Sequence, residues 1–246
     1  MSSDKCARPL NRDAIKYIAM FTMLLNHIGN IFLPLGSVLW LIFINLGYFT
    51  AITMCYFLVE GYAYTRSKKR YALRLALFAL ISQLPFDLVF SSGDRLSFNG
   101  FNMLFTLLLC FFIILALERL QSPALKILAV AALTLVSLFS DWGVFAPMFT
   151  VLFVWARGDE RRVKLSFVIS ALFFGLYQYV GLSAVLPSGK NLINALSGMS
   201  AIALSGVCIV YLYNGQRAQR GQGFSKWFFY IFYPAHLLIL GLIRVL

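Results

Sequence analysis

Acidic side chains are scarce: Asp and Glu number nine in 246 residues, against 21 Lys and Arg. All charged residues together make up 12% of the chain, about half the share usual in soluble domains. So few polar side chains cannot clothe a water-soluble particle, which argues against a soluble enzyme and against a disordered chain. Histidine is scarcer still, with only His27 and His236. The four cysteines, Cys6, Cys55, Cys110 and Cys208, form no CxxC pair. Three of them lie in apolar runs, where they read as small buried hydrophobes, and without thiolate pairs beside the two separate histidines they make a poor zinc set, so no metal is expected. The first dozen residues are polar and lack a short apolar core with a cleavage site, so no removable signal peptide is expected.

What the chain has instead is apolar length. Hydrophobic residues reach 61% and aromatics 16%, and the mean hydropathy is +0.81. A helix crossing about 30 Å of hydrocarbon needs roughly 20 apolar residues. Such runs occur at 14–34, 39–64, 72–91, 101–118, 124–140, 142–156, 164–181, 192–213 and 227–245. The expected fold is all-α, a polytopic bundle of about nine spans forming one integral membrane domain over 1–246. The fifth and sixth runs are short and separated only by Asp141-Trp142-Gly143, which suits a tight outer turn or a helical hairpin.

The net charge of +12 would suggest nucleic acid in a soluble protein. In a membrane protein, Lys and Arg instead gather in cytoplasmic loops. With the N-terminus inside, every Lys and Arg falls on the cytoplasmic side except Arg95, Lys190 and Arg244. A wrong span count would have spoiled that split.

An ionisable group at bilayer depth costs several kcal/mol and commonly faces the bundle interior. His27 lies about 20 Å and His236 about 14 Å from the inner ends of their spans at 1.5 Å per residue. Either one can be a helix-bridging histidine or a general base with a pKa near 6.5. Asp87 lies about 22 Å deep. Asp141 suits an N-cap as well as catalysis, and Glu60 suits an ion pair with Arg66 or Arg70. Asn26, Asp87 and Asp141 are all suited to orienting His27. Pro234 can kink the last span beside His236. Arg66, Arg70 and Arg74 recur every four residues, so on a helix they share one face at the inner mouth. Contact with anionic lipid and phosphate binding both fit that face. Asn214-Gly215 reads as a helix C-cap.

The motifs also form a familiar series. They begin with Ile15-Lys16-Tyr17-Ile18-Ala19-Met20 leading to Asn26-His27-Ile28-Gly29. Next come Val59-Glu60-Gly61-Tyr62-Ala63-Tyr64-Thr65-Arg66, Lys69-Arg70-Tyr71-Ala72-Leu73-Arg74-Leu75 and Ile81-Ser82-Gln83-Leu84-Pro85-Phe86. Asn102-Met103-Leu104-Phe105-Thr106-Leu107, Asp141-Trp142-Gly143, Leu212-Tyr213-Asn214-Gly215 and Lys226-Trp227-Phe228-Phe229-Tyr230-Ile231-Phe232-Tyr233-Pro234-Ala235-His236-Leu237 follow. In this order and spacing they resemble the TraX family of integral membrane acetylases, named for a conjugation protein that N-acetylates pilin. More distantly the chain is similar to the wider superfamily of multi-span membrane acyltransferases. It departs from the family's usual pattern in having Asn26, where Asp commonly precedes the first-span histidine.

The resemblance implies acyl transfer from cytoplasmic acetyl-CoA to an acceptor at the membrane or its outer side. The acceptor would be a pilin-like peptide amine first, and a glycan or lipid hydroxyl otherwise. His27 would be the catalytic base, with His236 second as a positioning or structural group. Lys16, Glu60, Tyr64, Arg66, Lys68, Lys69, Arg70, Tyr71, Arg74 and Asn214 would hold the CoA. Gln83, Asn102, Thr106, Trp142 and Tyr233 would face the acceptor or the oxyanion. Direct transfer and an acetyl-histidine intermediate are both open. The rival from another class is a proton-coupled transporter of a small solute, since buried His and acids also build relays. No inverted repeat or matched pair of Gly/Pro-broken spans supports that rival. A membrane chaperone for a secreted subunit would need neither a base nor a phosphate site.

Overall fold

A computed structural model describes residues 8–91, 96–181 and 187–246. Lys5, Cys6 and Arg95, which enter the charge and cysteine readings, lie outside them. The described residues form nine α-helices: α1 Arg12–Phe32, α2 Val38–Tyr64, α3 Lys68–Phe90, α4 Met103–Arg119, α5 Pro123–Ser137, α6 Phe145–Trp155, α7 Glu160–Gly181, α8 Ser188–Val207 and α9 Gln222–Val245. A short π-helical turn, Cys208–Leu212, continues α8. No strand occurs among the described residues, only isolated parallel bridges pairing Leu10 with Tyr213 and Phe101 with Ser140.

The helix starts follow capping chemistry. The side chains of Asn11, Ser67 and Asn102 accept from the backbone N–H of Ala14, Arg70 and Leu104, satisfying donors that the first turn leaves orphaned. Pro123 opens α5, where its missing N–H costs nothing. The nine helices fall on the nine apolar runs. Five of them, α2, α3, α7, α8 with its π turn, and α9, are long and apolar enough to cross a bilayer, and the protein is an integral multi-pass membrane protein. With 15 and 11 residues, α5 and α6 rise only about 22 and 16 Å. They are the short pair expected around Asp141-Trp142-Gly143.

Contacts divide the chain into two compact units, Met1–Met54 with Ala156–Phe229, and Cys55–Trp155 with Tyr230–Leu246. In the first, α1 lies close against α2, because Gly29 and Gly47 carry no side chain there. A Cβ on Gly29 would meet Phe43 Cβ at 3.1 Å, and one on Gly47 would meet Asn26 Cβ at 2.1 Å. Small residues at such contacts are how membrane helices approach. Hydroxyls and amides then tie the helices together: Thr22 with Thr50 at 2.9 Å, Thr53 with Ser205 at 2.7 Å and Asn45 Nδ2 to Asn194 Oδ1 at 3.1 Å. Gln178 Nε2 donates to the Tyr48 hydroxyl at 2.6 Å. At the basic end the chain start is strapped to the α8–α9 connection. Leu10 N–H donates to Leu212 O at 3.0 Å, Asn214 N–H to Leu10 O at 2.9 Å and Ala218 N–H to Asp13 Oδ2 at 2.9 Å.

The second unit packs α3–α6 with the end of α2 and most of α9 around Tyr62, Phe111, Ile113, Ile114, Phe149 and Leu237, all buried. Cys55 and Cys110 are free thiols within that core, the first hydrogen-bonded to the second. Tyr230 stacks on Phe78 at 4.9 Å, and Arg244 Nη1 donates to Val89 O at 2.6 Å. One of the three cations outside the inner loops thus caps a carbonyl at the end of α3.

Candidate functional site

In the second unit eight of the residues singled out in the sequence, Gln83, Asp87, Asn102, Thr106, Asp141, Trp142, Tyr233 and His236, gather at one end, where α3, α4, α9 and the α5–α6 turn converge. Gln83 and Asp87 are four residues apart on α3, so they share a face. Gln83 Nε2 donates to both Asp87 carboxylate oxygens at 3.1 Å and to Gly100 O at 2.8 Å. Gln83 Oε1 accepts from Asn102 Nδ2 at 2.9 Å and from Asn102 N–H at 3.2 Å. Asn102, fully buried, also donates to Ala79 O at 2.7 Å while capping α4. Asp87 Oδ1 further accepts from Asn99 N–H at 3.1 Å.

Four residues past Asn102, Thr106 Oγ1 donates to Asp141 O at 2.5 Å and approaches Ser140 Oγ at 3.0 Å. Backbone bonds from Phe101 N–H to Phe139 O and from Asp141 N–H to Phe101 O, at 2.8 and 2.7 Å, fasten the α5–α6 turn to the start of α4. The approach is close enough to need Gly100, which sits at φ +88° with Phe139 O 2.9 Å from where a Cβ would lie. Within the turn Trp142 holds φ +59°, a left-handed conformation that a bulky residue rarely adopts and that concentrates at functional sites. Trp142 leans on Phe145 and Phe149 with ring centroids 6.4 Å apart. Burial lifts the Asp141 carboxyl from 3.8 to about 6, partly opposed by the N–H of Trp142. A carboxyl near 6 exchanges its proton close to neutrality.

From α9, Tyr233 enters the cluster: its hydroxyl accepts from Met103 N–H at 3.2 Å, and Asp141 acts on it electrostatically. His236, one turn further, contacts the Tyr233 ring at 5.7 Å and stacks on Phe232 at 4.8 Å. Its Nδ1 lies 2.8 Å from Phe232 O. A carbonyl can only accept, so Nδ1 carries a hydrogen, and in the neutral ring Nε2 is the basic nitrogen. Gln83, Asn102 and Thr106 direct their donors at protein acceptors. Tyr233 differs: its oxygen accepts from the backbone, and its own proton has no acceptor among the described residues.

The other end of the same unit is basic. Arg66, Lys69, Arg70 and Tyr64 are exposed, and Glu60 is half-buried. Lys68 turns inward instead, over the Tyr62 ring at 3.6 Å and donating to Tyr62 O. Tyr71 packs on Phe111 at 5.4 Å and lies under the Arg74 guanidinium at 5.7 Å. Arg74 also hydrogen-bonds the Tyr230 hydroxyl, while its Nε is buried with no hydrogen-bond partner among the described residues. An orphaned guanidinium N–H behind exposed cations is what an anion site presents.

The remaining residues of the sequence reading belong to the first unit. His27 is buried on α1, 6% exposed. Asn26 points elsewhere on the helix: its Nδ2 donates to Ile44 O at 2.9 Å and its Oδ1 accepts from Asn30 Nδ2 at 3.0 Å. Asn26 therefore serves the α1–α2 contact. Lys16 sits over Phe229 at 5.2 Å. Asn214 Oδ1 accepts from Gln216 N–H at 2.9 Å, closing a turn in which Gly215 holds φ +76°.

Sequence reasoning passed over several polar groups. Ser91 Oγ accepts from Ser97 N–H at 2.8 Å and extends the Asp87 network, and Ser137 Oγ donates to Gly143 O at 2.8 Å to close the Trp142 turn. Asn45, Asn191 and Asn194 are buried in the first unit, Asn45 bonding Asn194 and Asn191 donating to Tyr179 O at 2.7 Å. The available signal was Ser and Asn inside apolar runs, weak singly because such residues are common helix glue.

The family model described as TraX protein matches residues 11–244. The chain is 30% identical over 232 residues to a probable fimbrial assembly protein FimC, serogroup H1, of Dichelobacter nodosus, covering 92% of each. No solved structure matches it.

Proposed function

The chain belongs to the TraX family, and on that premise we propose that it is an acetyl-CoA-dependent membrane acetyltransferase. Its acceptor is the amine of a pilin-like peptide, or else a hydroxyl, reached from the membrane or the outer side. The observation that carries the reading is the layout of α3. Arg66, Lys69 and Arg70 stand exposed at its start, with the orphaned Arg74 Nε behind them. Seventeen residues beyond Arg70, about 25 Å along the same helix, Asp87 enters the polar cluster. The cations suit the phosphates of CoA, and an extended pantetheine arm along the helix carries the thioester toward the cluster. The fimbrial assembly role named for the Dichelobacter relative suits a pilin-like acceptor.

Chemically, the acceptor nitrogen attacks the thioester carbonyl carbon and loses a proton to His27, the base implied by the family resemblance. A tetrahedral oxyanion forms, and a donor held in place for it lowers the barrier. The carbon–sulfur bond then breaks, CoA thiolate leaves with the proton returned from the imidazolium, and an N-acetyl product remains.

Acetyl-CoA binding to the purified protein in detergent tests the donor site. Reversing Arg66, Lys69 or Arg70 to Glu should weaken binding several-fold, and more so at low salt, because exposed charges are screened. Unchanged binding would remove the donor assignment. Acetyl transfer to an amine-bearing peptide tests the base: His27→Ala should lower the rate by 10²-fold or more. Full activity in that variant would reject His27. Solute uptake into vesicles without acetyl transfer would favour a transporter.

A further inference from the structure

In the first unit α7 and α8 run against each other, touching tightly at two places and parting between them. At one, a Cβ on Gly175 would lie 2.2 Å from Met199 Cγ; at the other, a Cβ on Gly206 would lie 2.9 Å from Phe167 Cβ. Between these contacts the facing side chains are small, Ala171, Ser200 and Ala203, and the helices leave a cleft of about 530 Å³. Leu172, Val168 and Leu196 wall it, and each is about half exposed. The cleft is apolar along its length, open along one side, and belongs to helices that cross the membrane.

Its basic end is closed by a single cation. Lys164 Nζ lies 5.0 Å from the Tyr211 ring centroid, and both residues line the cleft. The ring holds the ammonium beside the opening, and a tyrosine there suits the headgroup level. Lys164 Nζ also lies 3.5 Å from Glu160 Oε1, but Glu160 Oε2 is 3.5 Å from Arg8 Nη2. One carboxylate thus serves two cations. Asp159 is engaged by Arg162 at 3.3 Å, and Arg161 stands exposed nearby. Positive charge at the mouth exceeds its neutralisation, directly above an apolar slot.

We propose that this cleft is a binding site for one anionic glycerophospholipid of the basic-side leaflet. An acyl chain lies between α7 and α8, and the phosphate completes the charge of Lys164. An uncharged lipid satisfies the slot but not the cation, so the site selects for anionic headgroups. The proposal is independent of acyl transfer.

The test uses the full chain reconstituted in vesicles of equal phosphatidylglycerol and phosphatidylcholine, then released for native mass spectrometry. One retained lipid is expected, with phosphatidylglycerol preferred. Lys164→Gln should cut that preference about fivefold, Lys164→Arg should preserve it, and Arg119→Gln, at another basic loop, should leave it unchanged. Ala203→Phe, at an exposed position on the cleft, should abolish retention of either lipid. Equal retention of the two lipids by the unsubstituted protein overturns the proposal, as does a preference indifferent to Lys164→Gln. Loss of a dimer in Ala203→Phe also overturns it, because the cleft would then receive a second copy of the chain. Should Ala203→Phe fail to fold, the Lys164 pair decides alone.

Discussion

At position 47 a hydrogen is all that fits, because Asn26 occupies the space a side chain would need. Gly47→Ala should therefore cost about 1–3 kcal/mol through forced separation of α1 and α2, read as a lower unfolding midpoint in detergent. Asp141 makes a prediction of opposite direction. Its folded-state value near 6 lies above the 3.8 of an unburied carboxyl. Between those two values the folded state keeps a proton that the unfolded state has lost, so stability falls as pH rises from about 4 to 6 and levels off above. Asp141→Asn removes the titrating group. The variant should be more stable than the parent at pH 7, with the gap closing at pH 4, when unfolding is followed at both. Single residues show how far a sequence carries. That His27 and His236 lie within helices was legible, because an apolar run marks a helix without reference to any partner. What Asn26 bonds to was not, because its acceptor on Ile44 lies on another helix.

Elements were more legible than contacts. Apolar runs of membrane length have one economical structure, a helix that satisfies its own backbone, and the caps at Asn11, Ser67 and Asn102 could be recognised by type. The side-chain bonds joining one helix to the next left no local trace. Thr53 and Ser205 are 152 residues apart and meet at 2.7 Å in the first unit. A double-mutant cycle with Thr53→Ala and Ser205→Ala should give a coupling near 0.6 kcal/mol, the usual size of such bonds in membranes. No coupling would mean that the two hydroxyls find other partners. The polar cluster of the second unit was half legible in the same sense. Gln83 and Asp87 share a face by spacing alone, whereas the bridge bringing Ser140 beside Phe101 depends on how the α5–α6 turn docks.

For the whole molecule, the asymmetry of Lys and Arg set the expected orientation, and the helices bear out the segments on which that reading rested. It places the α2–α3 connection inside and the α3–α4 connection outside. Single cysteines introduced at Ser67 and Ser97, in a background with the native cysteines replaced, should react with a membrane-impermeant thiol reagent from opposite faces of sealed vesicles. Reaction of both from one face would refute the orientation. The grouping of helices into two compact units was not legible, because no linker marks it. Each unit gathers two stretches from distant parts of the chain: α1 and most of α2 with α7, α8 and the start of α9 in one, α3–α6 with the ends of α2 and α9 in the other.

The strap between the chain start and the α8–α9 connection has a consequence for how the protein is made. Arg8 and Asp13 each bond a partner 205 residues later. At about 5–20 residues per second, roughly 10–40 s of translation separate the two sides of that clasp. The basic end of α1 must therefore stay unclasped while nearly everything after it is inserted, the helix held meanwhile by its contact with α2. An arrest before residue 213 leaves a nascent chain whose opening stretch has nothing yet to hold.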